Sequence, residues 1–348
     1  MTLFFTTPIA NARDYPLPHI LGLPSTPEIT TASKRWLLNV NNHIYTMDSA
    51  RSGLYILATS LRSKSVWLPS YHCPALVEPF LAAGITVNFY PICSDLKPDF
   101  NFLNSNVGKF ENIVGIRYFG FDCGIEKLSE FCKKNQNILI EDLAHAAFPS
   151  HIYGQAAVTS LVKFYPLSSG AELIVNSNFE AIEKVQENYA NLPKKFVQQF
   201  NNLYRKVKCK LGFLKKKQWL YLDIDSMTSW ISAADELVLS YTDHINVKKV
   251  RRDNYQVLAN RLANNKYGTV LFPELDSNTV PYVLPFLIHD EAVFVKMRKA
   301  GIQIYRWEEL AESRCQQSKL YRQKIIQIPC HQNIEQSDID YIIQVLNQ

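Results

Sequence analysis

Apolar positions recur along this chain at two periods, and the order in which the periods alternate predicts an α/β protein. In SARSGLYILATSL, Leu54, Leu57, Ala58 and Leu61 fall at helical spacing, so the segment reads as a turn entering a helix. SVWLP is a short apolar strand, CPALVEPFLAAG a helix closed by Gly84, and ITVNFYPI another strand. NIVGIRYFG, NILIED and AAVTSLV read as further strands, with the amphipathic helix IEKLSEFCKKN between the first two. Strands and helices in this alternation predict a mostly parallel central sheet flanked by helices on both faces.

The flanks differ in texture. Residues 1–35 are rich in Pro and Thr and predict an extended N-terminal arm, ahead of a large α/β domain over 36–240. After Asn176 the pattern turns helical, from FEAIEKVQENYANL through a basic stretch to RRDNYQVLANRLAN. VPYVLPFLIHD then reads as a strand, AVFVKMRKAG as a helix, IQIYRW as a strand and SDIDYIIQVLNQ as a closing helix. Together these give a smaller C-terminal α+β domain over 241–348. No internal repeat is present.

Composition narrows the function classes. With 348 residues and 47% apolar content the chain can bury a large core. No window approaches a membrane-spanning apolar run. MTLFFTTPIANARDYP has no basic residue before its short apolar run, which Pro8 interrupts, so a cytoplasmic protein without a leader is expected. Seven cysteines without a CxxC pair predict reduced thiols, and the eight histidines show no HExxH or Cys/His spacing, so no metal is expected. The net charge of +5 is local: nine basic residues and no acidic one lie between Pro193 and Leu220, which leaves −4 for the rest. Within it, Phe196, Phe200, Leu203, Val207, Leu211 and Leu214 recur every three or four residues. Residues 194–217 therefore read as a helix that either packs its stripe on the core or makes a weak contact with anionic membrane. With the remainder acidic, nucleic acid is not an expected partner.

In a parallel sheet, ligands collect beyond the carboxyl ends of the strands. Three such places carry chemistry. SARSGL puts small residues before a helix, leaving backbone N–H groups for a phosphate. NILIEDLAHA runs a strand into Glu141 and Asp142, where a carboxylate can bond a heterocyclic nitrogen or cap the next helix. AAVTSLVKFYP ends a strand at Ser160 and places Lys163 among aromatic neighbours. There it is either a surface lysine or a buried amine whose lowered pKa suits Schiff-base chemistry.

Taken together and in order, SARSGLYILATSL, WLPSYHCPAL with AGITVNFYPI, ILIEDLAHA, GQAAVTSLVK, RRDNYQVLANRL and AGIQIYRW with IPCHQNIEQSDIDYI resemble the DegT/DnrJ/EryC1/StrS sugar aminotransferases, fold-type I enzymes dependent on pyridoxal 5'-phosphate (PLP). The resemblance implies that Lys163 forms the internal aldimine and shuttles the proton, and that Asp142 partners the pyridine nitrogen. It also implies that Ala144 lies on a ring face and that His145 sits near the cofactor's oxygen substituents. Ser160, with the backbone of Arg51 and Ser52, would hold the phosphate, and the Arg51 side chain would add charge. The substrates implied are a nucleotide-linked keto-sugar and an amino donor such as glutamate, and the assembly implied is a homodimer.

Several positions depart from that pattern. The family's usual five-residue step from serine to lysine would put Tyr165 at the reacting position; the three-residue step of a divergent branch selects Lys163, which is the register adopted. A family dehydratase would carry histidine there, and none is present. Ser168, Ser169, Gly170 and Ala171 replace an acidic residue and a Gly-Gly pair. The stacking aromatic falls at Cys73, leaving Tyr71 or His72 to supply a ring, and DSMTSWISAADE at 225–236 replaces the segment that crosses the dimer. The alternative function is a protein of this fold that has lost the aldimine and serves a carbohydrate pathway as a binding or scaffold component.

Overall fold

The computed structural model describes residues 5–6, 15–30, 42–191, 229–311 and 313–348. Strand β1 (Asn42–Met47) passes through Asp48 into α1 (Ala50–Ser60), which Ser49 caps by accepting the Ser52 N–H at 3.3 Å. There follow β2 (Ser65–Pro69), α2 (Pro74–Ala82), β3 (Thr86–Tyr90), α3 (Phe100–Asn106), β4 (Asn112–Ile116), α4 (Ile125–Asn135), β5 (Ile138–Leu143), β6 (Ala156–Thr159), β7 (Ala171–Asn176) and α5 (Ile182–Ala190).

The seven strands form one sheet in the order β1-β7-β6-β5-β4-β2-β3. Pairing is parallel from β3 to β6 and antiparallel where β7 meets β6 and β1. The expected mostly parallel α/β sheet is thus present, with an antiparallel margin that the periodicity did not announce. Register does the positioning: Ile116 pairs with Asp142, Asp142 with Val158, and Leu143 with Thr159. Asp142 and Ser160 therefore emerge at the same carboxyl edge. Gly115 in β4 has a packing reason, since a Cβ would stand 2.6 Å from Ile125 Cδ1 and 2.9 Å from Leu128 Cδ2. Helix α4 can lie this close to the sheet only where the side chain is missing.

A second, antiparallel sheet has the order β10-β9-β8, formed by β8 (Gly268–Val270), β9 (Val283–Ile288) and β10 (Ile325–Pro329). With it go α6 (Ala233–Tyr241), α7 (His244–Leu262), α8 (Ala292–Lys299), α9 (Gln316–Lys324) and α10 (Gln336–Asn347). One apolar cluster joins the two sheets, including Leu57, Val158 and Phe164 on one side and Leu258, Phe286 and Ile342 on the other. They meet backbone to backbone as well. Gly120 has φ 106° and a Cβ there would lie 2.5 Å from the Val280 carbonyl oxygen, while the Tyr282 N–H donates to the Phe119 carbonyl at 2.9 Å.

One expected strand is corrected. IQIYRW is no member of either sheet: Ile302 makes a lone bridge to Ile20, and Tyr305 another to Gln327. The segment divides its hydrogen bonds between two partners, and its Arg306 is drawn off into ion pairs with Glu291 and Glu308. The described part of the N-terminal arm lies along this region, where Ile20 is buried and Ser25 and Thr26 donate to Asn333 Oδ1. The basic stretch 194–217 and residues 225–228 of the divergent segment lie outside the described residues. Among the described residues, no helix is long and apolar enough to cross a membrane, and no three His, Cys, Asp or Glu side chains gather as a metal site.

Candidate active site

The start of α1, where the chain leaves β1, supplies two backbone donors. The N–H groups of Ala50 and Arg51 have no acceptor among the described residues, as expected of a first helical turn. Ser52 differs from expectation: its N–H goes to Ser49 Oγ, and its hydroxyl donates to Asp48 Oδ1 at 2.5 Å, whose Oδ2 accepts from Ser229 Oγ at 3.0 Å. The Arg51 guanidinium faces Glu78 of α2 at 3.6 Å and remains partly exposed. Ser160, just past β6, is buried, and its hydroxyl has no hydrogen-bond partner among the described residues.

Asp142 is buried at the end of β5, and its Oδ1 accepts the Ala144 N–H at 2.8 Å. Burial raises its pKa, against the pull of that hydrogen bond and of the Lys163 charge. Lys163 ends a 3-10 turn, Leu161–Lys163, that Ser160 begins. Burial of the amine lowers its pKa; the Cys73 thiol and Asp142 oppose the shift, and Arg51 adds to it. Amine, carboxyl and thiol thus share one electrostatic neighbourhood. Tyr165, the residue of the other register, is buried with its hydroxyl on His244 Nδ1 at 2.9 Å.

His145 sits against Tyr282, with ring centroids 4.5 Å apart, and beside Trp307 at 5.0 Å. The Lys163 Nζ lies 5.6 Å from the same Tyr282 ring. Burial, then the lysine's charge, hold the His145 pKa well below the usual histidine range, so the ring is neutral, and its buried Nδ1 has no partner. A cavity of about 320 Å³ opens alongside, lined by Cys73, Trp307, Tyr15, Tyr305 and Arg298 among others.

No family model matches the chain. The UDP-4-amino-4,6-dideoxy-N-acetyl-beta-L-altrosamine transaminase of Campylobacter jejuni is 23% identical to it, across 87% of this chain and 84% of that one. Among solved structures, Helicobacter pylori PseC, an aminotransferase involved in the biosynthesis of pseudoaminic acid, superposes with a TM-score of 0.68 at 19% identity, over 87% of this chain and 85% of its own. A DegT DnrJ EryC1 StrS aminotransferase from Brucella abortus gives 0.62 at 14% identity, over 87% and 85%. The fold is that of the sugar aminotransferases.

Within this aminotransferase fold the sequence departures have physical substitutes. Asp235 of α6 holds the loop after Lys163. It accepts from the Ser168 N–H (2.9 Å) and hydroxyl (2.8 Å), from the Ser169 N–H (3.1 Å) and hydroxyl (2.7 Å), and from Ser232 Oγ (2.6 Å). The hydroxyls of Ser168 and Ser169, in the stretch that differs from the resembled pattern, pair with a carboxylate that residues 225–236 contribute. Of the two candidate rings near Cys73, His72 is locked away, with Nδ1 on the Pro69 carbonyl, Nε2 accepting the Ala311 N–H, and its face on Phe89. Tyr71 packs on Trp307 at 4.9 Å. Tyr282, Trp307, Arg251 and Asp235 were not singled out from the sequence. Arg251, in RRDNYQVLANRL, and Trp307, in AGIQIYRW, lay in segments already marked by the resemblance, and Asp235 in the divergent 225–236, but none carried a local signal of its own.

Proposed function

We propose that this chain is a PLP-dependent aminotransferase that acts on a nucleotide-linked keto-sugar, with glutamate as the plausible amino donor, in amino-sugar or surface-polysaccharide synthesis. The observation that carries the reading is that the half-buried Lys163 and the buried Asp142 stand at one sheet edge, close enough that each opposes the shift burial imposes on the other. The fold's relatives among sugar transaminases support it. The residues fit the cofactor: a carboxyl with one oxygen free for a ring nitrogen, an orphaned buried His145 Nδ1, a free serine hydroxyl and two free N–H donors.

When bound, PLP supplies an aldehyde for the amino group and an electron-withdrawing ring. Asp142 would face its ring nitrogen, Ala144 its face and His145 its ring oxygen. Ser160 and the N–H groups of Ala50 and Arg51 would hold its phosphate, with the helix start favouring the negative charge. Lys163 does the proton work. Because burial lowers its pKa, a larger fraction is neutral near pH 7, and a neutral Nζ can take a proton from a substrate carbon and return it. The Tyr282 ring, which stacks on His145, stands beside that nitrogen and covers one side of it. The working assembly is read as a homodimer in the cytoplasm.

Incubation with PLP followed by borohydride reduction, with mass spectrometry of the peptides, tests this directly. A pyridoxyl group on Lys163, absent from Lys163→Ala, together with glutamate-dependent amination of UDP-linked keto-sugars, is the expected result. Sugar-nucleotide binding without pyridoxylation would favour the scaffold reading instead.

A further inference from the structure

Arg251, on α7, is fully buried, and no carboxylate neighbours it among the described residues. Its five N–H groups all end on neutral oxygens. Nε donates to Gln332 Oε1 at 3.0 Å, Nη1 to the carbonyls of Pro281 (3.4 Å) and Tyr282 (3.0 Å), and Nη2 to the carbonyls of Lys163 (3.3 Å) and Phe164 (3.3 Å). The guanidinium lies 4.6 Å over the Phe164 ring, and Gln332 Nε2 donates to the same Phe164 carbonyl at 2.8 Å. Burial lowers the guanidinium to about 10, so it is charged at neutral pH.

Burying a cation without a counter-ion is costly, and apolar residues join segments with less loss. What apolar residues lack is a rigid fork that fixes separate peptides at set angles. Here the fork spans the turn that bears Lys163, the peptide entering β9 and Gln332 in the loop between β10 and α10. The Tyr282 peptide it grips carries the ring that touches both Nζ, at 5.6 Å, and His145, at 4.5 Å.

We propose that Arg251 is the positioning residue for the Lys163 amine: it clamps the lysine's own peptide against that of Tyr282, and so sets where Nζ stands relative to Asp142 and His145. Gln332 is the second jaw of the clamp. The proposal rests on Lys163 being the reacting amine.

The test uses the full chain, without added cofactor for the acetylation and with PLP for the kinetics. Competitive acetylation with acetic anhydride across pH, read on the Lys163 peptide by mass spectrometry, gives the midpoint at which this amine becomes reactive. Thermal unfolding checks that each variant folds. In Arg251→Lys, which keeps the charge and loses the fork, the midpoint is expected to rise by about one pH unit toward that of an ordinary lysine. The turnover number should fall about tenfold, with the KM for sugar nucleotide little changed. Gln332→Leu should shift the midpoint in the same direction by less, and it is the deciding variant where Arg251→Lys does not fold. A folded variant with the wild-type Lys163 midpoint overturns the clamp. Failure of the underlying reading looks different: Lys163→Ala would retain transamination, whatever the acetylation profile of the Arg251 variant.

Discussion

Glu141 and Asp142 are consecutive carboxylates on β5, both buried, and the strand sends them to opposite faces. Glu141 is saturated. Arg117 donates to its Oε2 from Nε at 2.9 Å with Nη2 at the same distance, and Oε1 accepts the N–H groups of Tyr153 (2.5 Å) and Gly154 (2.8 Å). Asp142 has the Ala144 N–H and the nearby charge of Lys163, and burial keeps its pKa raised. The contrast teaches how to tell a carboxylate that the fold has fully engaged from one it leaves available when both are out of water. The first has every lone pair engaged by its own fold, while the second keeps capacity for something the fold does not supply.

The largest expected effect belongs to the side proposed to react: Lys163→Ala should lower transamination by about 10³-fold or more, measured as turnover on sugar nucleotide and glutamate. Asp142→Asn should cost about 10²- to 10³-fold, the scale of one preorganised electrostatic contact, with denaturant stability nearly unchanged. Glu141→Gln should do the reverse, strands the Arg117 charge, and should remove about 3–5 kcal/mol of stability in a urea titration while the folded fraction keeps its turnover. If Glu141→Gln instead lowers turnover per folded molecule as much as Asp142→Asn does, the division between the two carboxylates is wrong.

Smaller effects sharpen the picture. Asp235→Asn should cost about 1–3 kcal/mol through the Ser168 and Ser169 bonds. Burial pushes the Asp235 pKa up, but the hydrogen bonds from Ser232, Ser169 and Ser168 outweigh it and hold the carboxyl below the ordinary aspartate value. Its stabilisation is therefore complete above that ordinary value and is lost as pH falls through the lower folded one. Acid unfolding of the asparagine variant should show a shallower loss in that window. Ser160→Ala should weaken PLP binding about tenfold by equilibrium titration, the worth of one hydrogen bond to a charged group.

Much of this was legible in the residues. The alternation of strand and helix carried the parallel core, and the rule that ligands gather at strand carboxyl ends led to Asp142, Ser160 and Lys163 in one dimension before the β5–β6 register set them at one edge. The antiparallel strands β1 and β7 escaped because an apolar run such as AELIVN states burial without direction. Helix α9, QQSKLYRQK, escaped because it is polar nearly all round and owes its place to tertiary contacts. IQIYRW misled because apolar residues that alternate need not all find one partner strand. Arg251 and Asp235 act across distances in the chain that no local pattern encodes.

The close seam at Gly120 carries a consequence for substitution. There peptide lies directly on peptide, tied by one hydrogen bond and with no room for a side chain between the two sheets. Any larger residue at position 120 should therefore pry the seam open and cost stability before it reaches Lys163 or Asp142.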